Sequence, residues 1–214
     1  LLDIELLNGD HKFILLDTGW EHGWTDQRFK ECGIDKMLKN NEIDCLFISH
    51  EHFDHFWGLP VTMKYKPDID MYIGGDYYPE GKQFIKESGF KGKLYEAKSK
   101  TRHLFEIKDK NGKTIPGVAG YYFPVAIICR VFGEQSIFVN VKDAGIVQVT
   151  GCCHQGILNF AEAAYTTLKG GDRPYGVYGG LHISPFEDWD PKYDDLVFGL
   201  GKYGFQKIGC NHCT

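Results

Sequence analysis

The segment ISHEHFDHFWGLP, residues 48–60, places His50, His52, Asp54 and His55 within six positions, directly after the apolar run 43–48. A core has no use for such a cluster, because burying each titratable group without a partner costs on the order of several kcal/mol. A solvent-facing loop has no particular need of imidazoles either. These side chains are therefore expected to bind something. In His50-x-His52, alternate positions of an extended chain point the same way, so two imidazole nitrogens can reach one ion. Asp54 and His55 follow a bend and serve a neighbouring position. A divalent ion such as Zn²⁺ takes neutral imidazole and carboxylate in three or four protein contacts, leaving a place for water. Two such ions can share one hydroxide and clamp the attacking and leaving oxygens of a hydrolysis. Four local groups are too few for two ions, so donors from elsewhere in the chain are required.

The remaining histidines supply candidates. His154 in VTGCCHQG, His182 in YGGLHIS and His212 in GCNHCT each follow a small or glycine-containing turn that closes an apolar strand. Strand ends of one sheet lie along one edge, so residues just beyond them converge in space. His11, His22 and His103 lack that context and are read as surface residues. CNHC at 210–213 is half of a structural zinc motif, but no second C-x-x-C completes it, and only the Cys152–Cys153 pair could stand in. Cys153 and Cys213 are read as small buried residues. For the aromatics Trp20, Trp24, Phe53, Phe56, Trp57, Tyr77 and Tyr78 core packing is the default, with Trp20, Trp24 and Phe53 alternatively lining a pocket for a flat ring.

The elements that must position these groups read as strands, then a β-rich middle, then strand–helix alternation. LLDIELL (1–7) and KFILLD (12–17) flank the hairpin signal Asn8-Gly9. Residues 25–40 have helical content broken near Gly33, residues 43–49 form an interior strand, and 54–65 a helix disturbed at Gly58–Pro60. A strand at 69–74 and a helix at 80–88 follow. From 93 to 145, Val, Ile, Phe and Tyr with glycine turns predict several antiparallel strands, one pair joined at Asn111-Gly112. Beyond Gly145, strand, helix, strand, helix, strand alternate to the last residues. The acidic stretch 185–195 is read as a solvated approach to a helix with capping aspartates. Together these predict a layered α/β fold.

Composition narrows the function classes. With 214 residues, 43% hydrophobic and 25% charged, the chain reads as one ordinary globular domain. A net charge of −5 without a basic cluster argues against nucleic acid. No apolar stretch approaches the roughly 20 residues that span a bilayer, and no signal-peptide leader is seen. Seven cysteines, an odd number, include one adjacent pair, which points to a reducing, cytoplasmic setting. The expected partner is a small-molecule substrate, not nucleic acid or a membrane; the oligomeric state is not legible.

SHEHFDH matches the H-x-H-x-D-H signature of the metallo-β-lactamase superfamily, and FILLDTG, ending its strand at Asp17, resembles that superfamily's first motif. VQVTGCCHQGILN, YGGLH and the final HCT are similar to the branch of dihydropterin–aminobenzene-phosphate synthase-like proteins. The resemblance implies one domain over residues 1–214, short of the family's usual ends, folded as a four-layer αββα sandwich. It implies two divalent ions, zinc first with manganese or iron as alternatives. One would take His50, His52 and His154; the other Asp54, His55 and His212. Asp17 would hold the signature loop by accepting hydrogen bonds, Asp54 would orient or deprotonate the bridging water, and His182 would contact substrate. Most members place an aspartate after a later strand to bridge the metals, and this chain has none there. Cys152 and His182 stand as the two alternatives.

The function this implies is a metal-dependent hydrolase using a metal-bridged hydroxide on a small phosphorylated or pterin-like molecule. Alternatives are a pterin-type synthase displacing pyrophosphate, a di-iron redox protein of the same fold, and a non-catalytic binding module. Di-iron members usually carry glutamate where His52 stands here, which favours the zinc-type chemistry.

Overall fold

A computed structural model describes residues 1–127, 131–183 and 188–214. Cys129 and residues 185–187 of the acidic stretch lie outside the described residues. The hairpin at Asn8-Gly9 joins β1 (Leu2–Glu5) antiparallel to β2 (His11–Leu16). Helices α1 (His22–Glu31) and α2 (Ile34–Lys39), separated at Gly33, lead to β3 (Cys45–Phe47). The signature segment folds as α3 (Phe53–Phe56), and α4 (Leu59–Tyr65), β4 (Met71–Ile73), α5 (Pro79–Glu87) and β5 (Leu94–Glu96) complete the first half. The second half runs β6 (His103–Lys108), β7 (Thr114–Ile127), β8 (Val131–Val141), β9 (Gly145–Thr150), α6 (Ile157–Thr167), β10 (Pro174–Gly179), α7 (Asp194–Tyr203) and β11 (Lys207–Cys210).

Two sheets result, ordered β1-β2-β3-β4-β5 and β11-β10-β9-β8-β7-β6. Strands β2 to β5 are parallel, as are β9, β10 and β11, while β6, β7 and β8 pair antiparallel. One expectation is corrected here. Leu94–Glu96 is not part of the antiparallel middle; it joins the first sheet parallel to β4. The reason is the helix α5 between them, since a strand–helix–strand crossover returns the second strand in the direction of the first.

Alternating side chains build three cores and hence four layers. Leu15, Leu46, Ile48, Met71 and Ile73 face α1, α2, α4 and α5, meeting Phe29, Leu38, Leu59, Met63 and Ile85. Ile14, Cys45, Phe47 and Tyr72 face the other way, against Ile107, Ile115, Ile137 and Val149 of the second sheet. Phe123, Phe138, Ile146 and Val177 pack outward on Ile157, Phe160, Ala164 and Leu200 of α6 and α7. Each fully buried aliphatic or aromatic side chain contributes about 1.5–3 kcal/mol. The acidic stretch ahead of α7 is exposed where described, and Asp190 caps the short turn at Pro191–Tyr193 by accepting the Lys192 N–H at 2.8 Å. Among the described residues, no helix is long and apolar enough to cross a membrane.

Candidate metal centre

The C-terminal ends of β2, β3, β9, β10 and β11 share one edge of the sandwich, and every candidate donor follows one of them. Asp17 follows β2, the signature loop follows β3, Cys152 and His154 follow β9, His182 follows β10 and His212 follows β11. The loop is held from several sides. Thr18 donates its N–H and its hydroxyl to the His55 carbonyl at 2.8 and 3.1 Å. Gln135 of β8 donates its N–H to the Ser49 carbonyl at 2.9 Å and its side-chain amide to the Ile48 carbonyl at 2.7 Å, tying the second sheet to the loop of the first. At Gly58, between α3 and α4, the chain passes so close that a Cβ would stand 2.0 Å from the Thr18 carbonyl oxygen, so only glycine fits there.

The donors then meet in two groups. His50 Nε2 lies 3.0 Å from His52 Nδ1, and the His154 ring lies 4.7 Å from that of His50 and 4.8 Å from that of His52. Nearby, His212 Nε2 lies 3.0 Å from both His55 Nε2 and Asp54 Oδ2, and His55 Nε2 lies 3.6 Å from the same carboxylate oxygen. The Cys152 sulfur sits 3.1 Å from His55 Nε2. Ligands of a tetrahedral ion with bonds of about 2.0–2.3 Å stand about 3.3–3.6 Å apart. Separations of 3.0 to 3.6 Å among imidazole, carboxylate and thiol lie close to that spacing, and the donor types are those of a divalent metal site.

The backs of three rings are fixed. Asp17 Oδ1 accepts the Ser49 N–H at 2.7 Å, and its Oδ2 accepts the Ser49 hydroxyl at 2.8 Å and His55 Nδ1–H at 2.7 Å. Ser49 has one hydroxyl proton, and Asp17 takes it. Its oxygen therefore accepts from His50 Nδ1–H at 2.9 Å. Glu134 Oε2 receives His154 Nδ1–H at 3.2 Å. In His50, His55 and His154 alike, the Nε2 lone pair is thus left facing the cluster, an arrangement carboxylate partners commonly impose on metal-binding histidines.

Electrostatics follow the same division. Burial, then the imidazoles of His55 and His154, hold His50 well below the ordinary histidine value, so the ring is neutral. Burial pulls His55 down, but the charge and hydrogen bond of Asp17 outweigh it and the net shift is upward. Burial likewise opposes ionisation of Asp54, yet the His212 hydrogen bond and the charge of His55 bring the carboxyl to about 2. The hydrogen bond shared with Cys213, followed by burial, pushes the Cys152 thiol well above its usual value, so without an ion it keeps its proton.

All six residues expected to contact metal are therefore brought to one edge, with Asp17 behind them. His182 packs its ring 4.5 Å from that of His154, beside one group only. Cys152, in contrast, belongs to both. Of the aromatics, Phe56 and Tyr77 are core residues, whereas Trp20, Trp24, Phe53 and Trp57 are exposed, which corrects the default for those four. The residue that sequence reasoning missed is Glu134, fully buried, whose carboxylate also accepts the N–H groups of Cys152, Cys153 and His154 at 3.1, 2.7 and 2.6 Å. Its signal was the polar triplet Glu134-Gln135-Ser136 inside the apolar strand VFGEQSIFV, all three with no solvent exposure.

The profile of the metallo-beta-lactamase superfamily matches residues 4–125. The 7,8-dihydropterin-6-methyl-4-(beta-D-ribofuranosyl)-aminobenzene-5'-phosphate synthase of Methanocaldococcus jannaschii is 25% identical over 209 residues, covering 84% of this chain and 69% of that protein. Among solved structures, Tm1679, described as a metal-dependent hydrolase of the beta-lactamase superfamily, superposes with a TM-score of 0.66 at 20% identity, over 96% of this chain and 79% of that one. AiiA of B. thuringiensis with N-decanoyl-L-homoserine bound gives a TM-score of 0.48 at 16% identity, over 97% of this chain and 78% of that one. With a profile match over more than half of its length, and the two-sheet fold described above, this chain belongs to the metallo-beta-lactamase superfamily.

Proposed function

We propose that this chain is a metal-dependent enzyme that cleaves, or displaces a leaving group from, a small phosphorylated or pterin-like molecule. The observation that carries the reading is the convergence of imidazole, carboxylate and thiol groups, their nitrogen, oxygen and sulfur atoms 3.0 to 3.1 Å apart, at one edge of the sandwich. His50, His52 and His154 would hold one divalent ion and Asp54, His55 and His212 a second, zinc first and manganese or iron as alternatives. Such ions supply Lewis acidity, neutralise phosphate charge and make water acidic near neutral pH. The chain's own groups do the rest. Asp54, ionised and half-buried, is placed to orient water or accept its proton. His182, kept below the ordinary histidine value chiefly by burial, offers a neutral imidazole to substrate beside His154. Exposed Phe53, with Trp20 against it at 4.8 Å and Trp57 at 5.8 Å, presents an aromatic wall suited to a flat ring. The aminobenzene-phosphate synthase relative supports a pterin or aromatic phosphate as the class to try first.

The test begins with elemental analysis of protein purified without added metal. Chelated and reloaded protein is then assayed on phosphate monoester, phosphodiester and carboxylic ester substrates. About two divalent ions per chain are expected, with turnover that chelation abolishes and zinc restores. A folded protein that neither holds nor takes up divalent ions, and is inert on all three, would overturn the reading.

A further inference from the structure

Among the described residues, two groups of potential ligands have one member in common. Cys152 stands with His50 and His154, and again with His55 and His212, the ligand atoms of each group lying within 4.8 Å of one another. We propose that the Cys152 thiolate is the protein ligand bridging the two ions. This inference rests on the reading that the cluster holds two divalent ions.

The turn after β9 is built to present this sulfur. Glu134 gathers the consecutive N–H groups of Cys152, Cys153 and His154, which fixes the backbone under the cluster. The adjacent cysteines then point apart. Cys152, only 3% exposed, faces the histidines, whereas Cys153 packs with Ile157, Phe160 and Leu181 in the core behind β9. Gly151 lets the strand end approach the signature loop, because a Cβ there would stand 2.2 Å from the Ser49 hydroxyl oxygen.

The other candidates are placed differently. His182 lies against His154 and belongs to neither ligand group; Cys213 directs its thiol to the Cys152 carbonyl oxygen at 3.7 Å and also belongs to neither. A soft thiolate shared by both ions favours zinc over manganese or magnesium. Binding releases the thiol proton to solvent and moves no electrons.

Cobalt(II) titrated into the metal-free full chain tests this without relying on turnover. Two equivalents are expected to bind, with a near-ultraviolet sulfur-to-cobalt charge-transfer band that changes with each equivalent. Magnetic susceptibility should show the two ions coupled. Cys213→Ser should keep the band; Cys152→Ser and Cys152→Asp should lose it while still binding cobalt. Two bound ions without the band would overturn the proposal while leaving the two-ion reading intact. So would a band that saturates at the first equivalent in uncoupled ions, or one that survives Cys152→Ser. A chain that binds no cobalt would overturn the underlying reading and the bridge with it. The wild-type spectrum decides the matter even where a variant fails to fold.

Discussion

Where β2 and β3 begin, at one end of the sandwich, Asp44, Asp109 and Lys12 come together beneath the hairpins. Where the same strands finish, at the other end, the histidines, Asp54 and Cys152 come together. Both ends concentrate polar side chains, but only the first is closed on itself. Lys12 Nζ donates to Asp109 at 2.8 Å, and the other Asp109 oxygen accepts the N–H groups of Asn111 and Lys113. Asp44 accepts the Phe13 N–H at 2.9 Å, and Lys110 Nζ caps the carbonyls of Asn41 and Glu42. A polar cavity of about 150 Å³ lies there, lined by Asn41, Asp44, Asp68 and Lys110. Its donors and acceptors answer one another, so its chemistry is that of a strand cap. At the other end ligand groups of one kind face each other, His50 Nε2 toward His52 Nδ1 and His55 Nε2 toward His212 Nε2. The difference teaches that clustering alone does not mark a site; what marks it is a set of metal-ligating groups turned toward one another and held from behind by carboxylates.

The most severe way to break this contrast is to remove what holds the open end open. Glu134→Ala would leave three buried N–H groups and the His154 imidazole without their acceptor. Burial opposes ionisation of Glu134, but its hydrogen bond and charge pairing with His154 and the backbone N–H groups outweigh it, so the carboxyl lies below its usual range. Deleting one side of such a buried arrangement costs about 3–5 kcal/mol. Urea unfolding of the metal-free protein should show a loss of that size, together with weakened zinc binding. A variant as stable as the parent would mean the two ends are held by the sheets alone.

At the closed end the effect should be smaller and should not touch metal. Asp109→Asn removes the charge that Lys12 answers, and a loss of about 1–2 kcal/mol at pH 7 is expected. Burial raises the Asp109 value, but the Lys12 hydrogen bond and the N–H groups of Lys113 and Asn111 outweigh it and the net shift is downward. A depressed carboxylate stabilises the fold above its unfolded value, about 3.9, and that contribution is lost as pH falls through the folded value. The gap between parent and variant should therefore be full at neutral pH and close below about pH 4. Zinc affinity should be unchanged. A change in it would show that the closed end communicates with the donors.

Much of this was legible beforehand, for reasons that particular residues make plain. His50-x-His52 and Asp54-His55 announce themselves because nothing else in a soluble fold calls for such density, and His154 and His212 follow from strand grammar. The four layers follow from the resemblance and from alternation such as Cys45/Phe47 inward against Leu46/Ile48 outward. The polar triplet at Glu134 was visible, but its role was not, because a carboxylate in a strand acquires meaning only when the neighbouring strand's turn is seen folded over it. Cys152 and His182 could not be told apart in the sequence, since both follow strand ends and both are sound ligands; the coordinates group Cys152 with both sets of donors and His182 with neither. Trp20, Phe53 and Trp57 misled for the opposite reason: aromatic bulk defaults to the core, and only the coordinates show these rings gathered at the surface.

The finest distinction lies within the open end itself. His50, entirely buried, has its ring fixed by Ser49, and His154 is fixed by Glu134, so their order is set before any ion arrives. His212 comes from the segment after β11, with φ +55° and a side chain 39% exposed, and contacts Asp54 and His55 directly. His55 in the same half is held by Asp17, so only His212 is left to be ordered by the ion, which costs affinity. Calorimetric zinc titration should therefore resolve a tighter and a weaker class. His212→Ala should remove the weaker class, leaving one ion per chain, while stability without metal changes by less than about 0.5 kcal/mol, as for an ordinary surface substitution. If both classes weaken together, the halves are not separable sites. The shared Cys152 sulfur would then be the reason to examine first, because it is the atom through which losing one ion would be felt by the other.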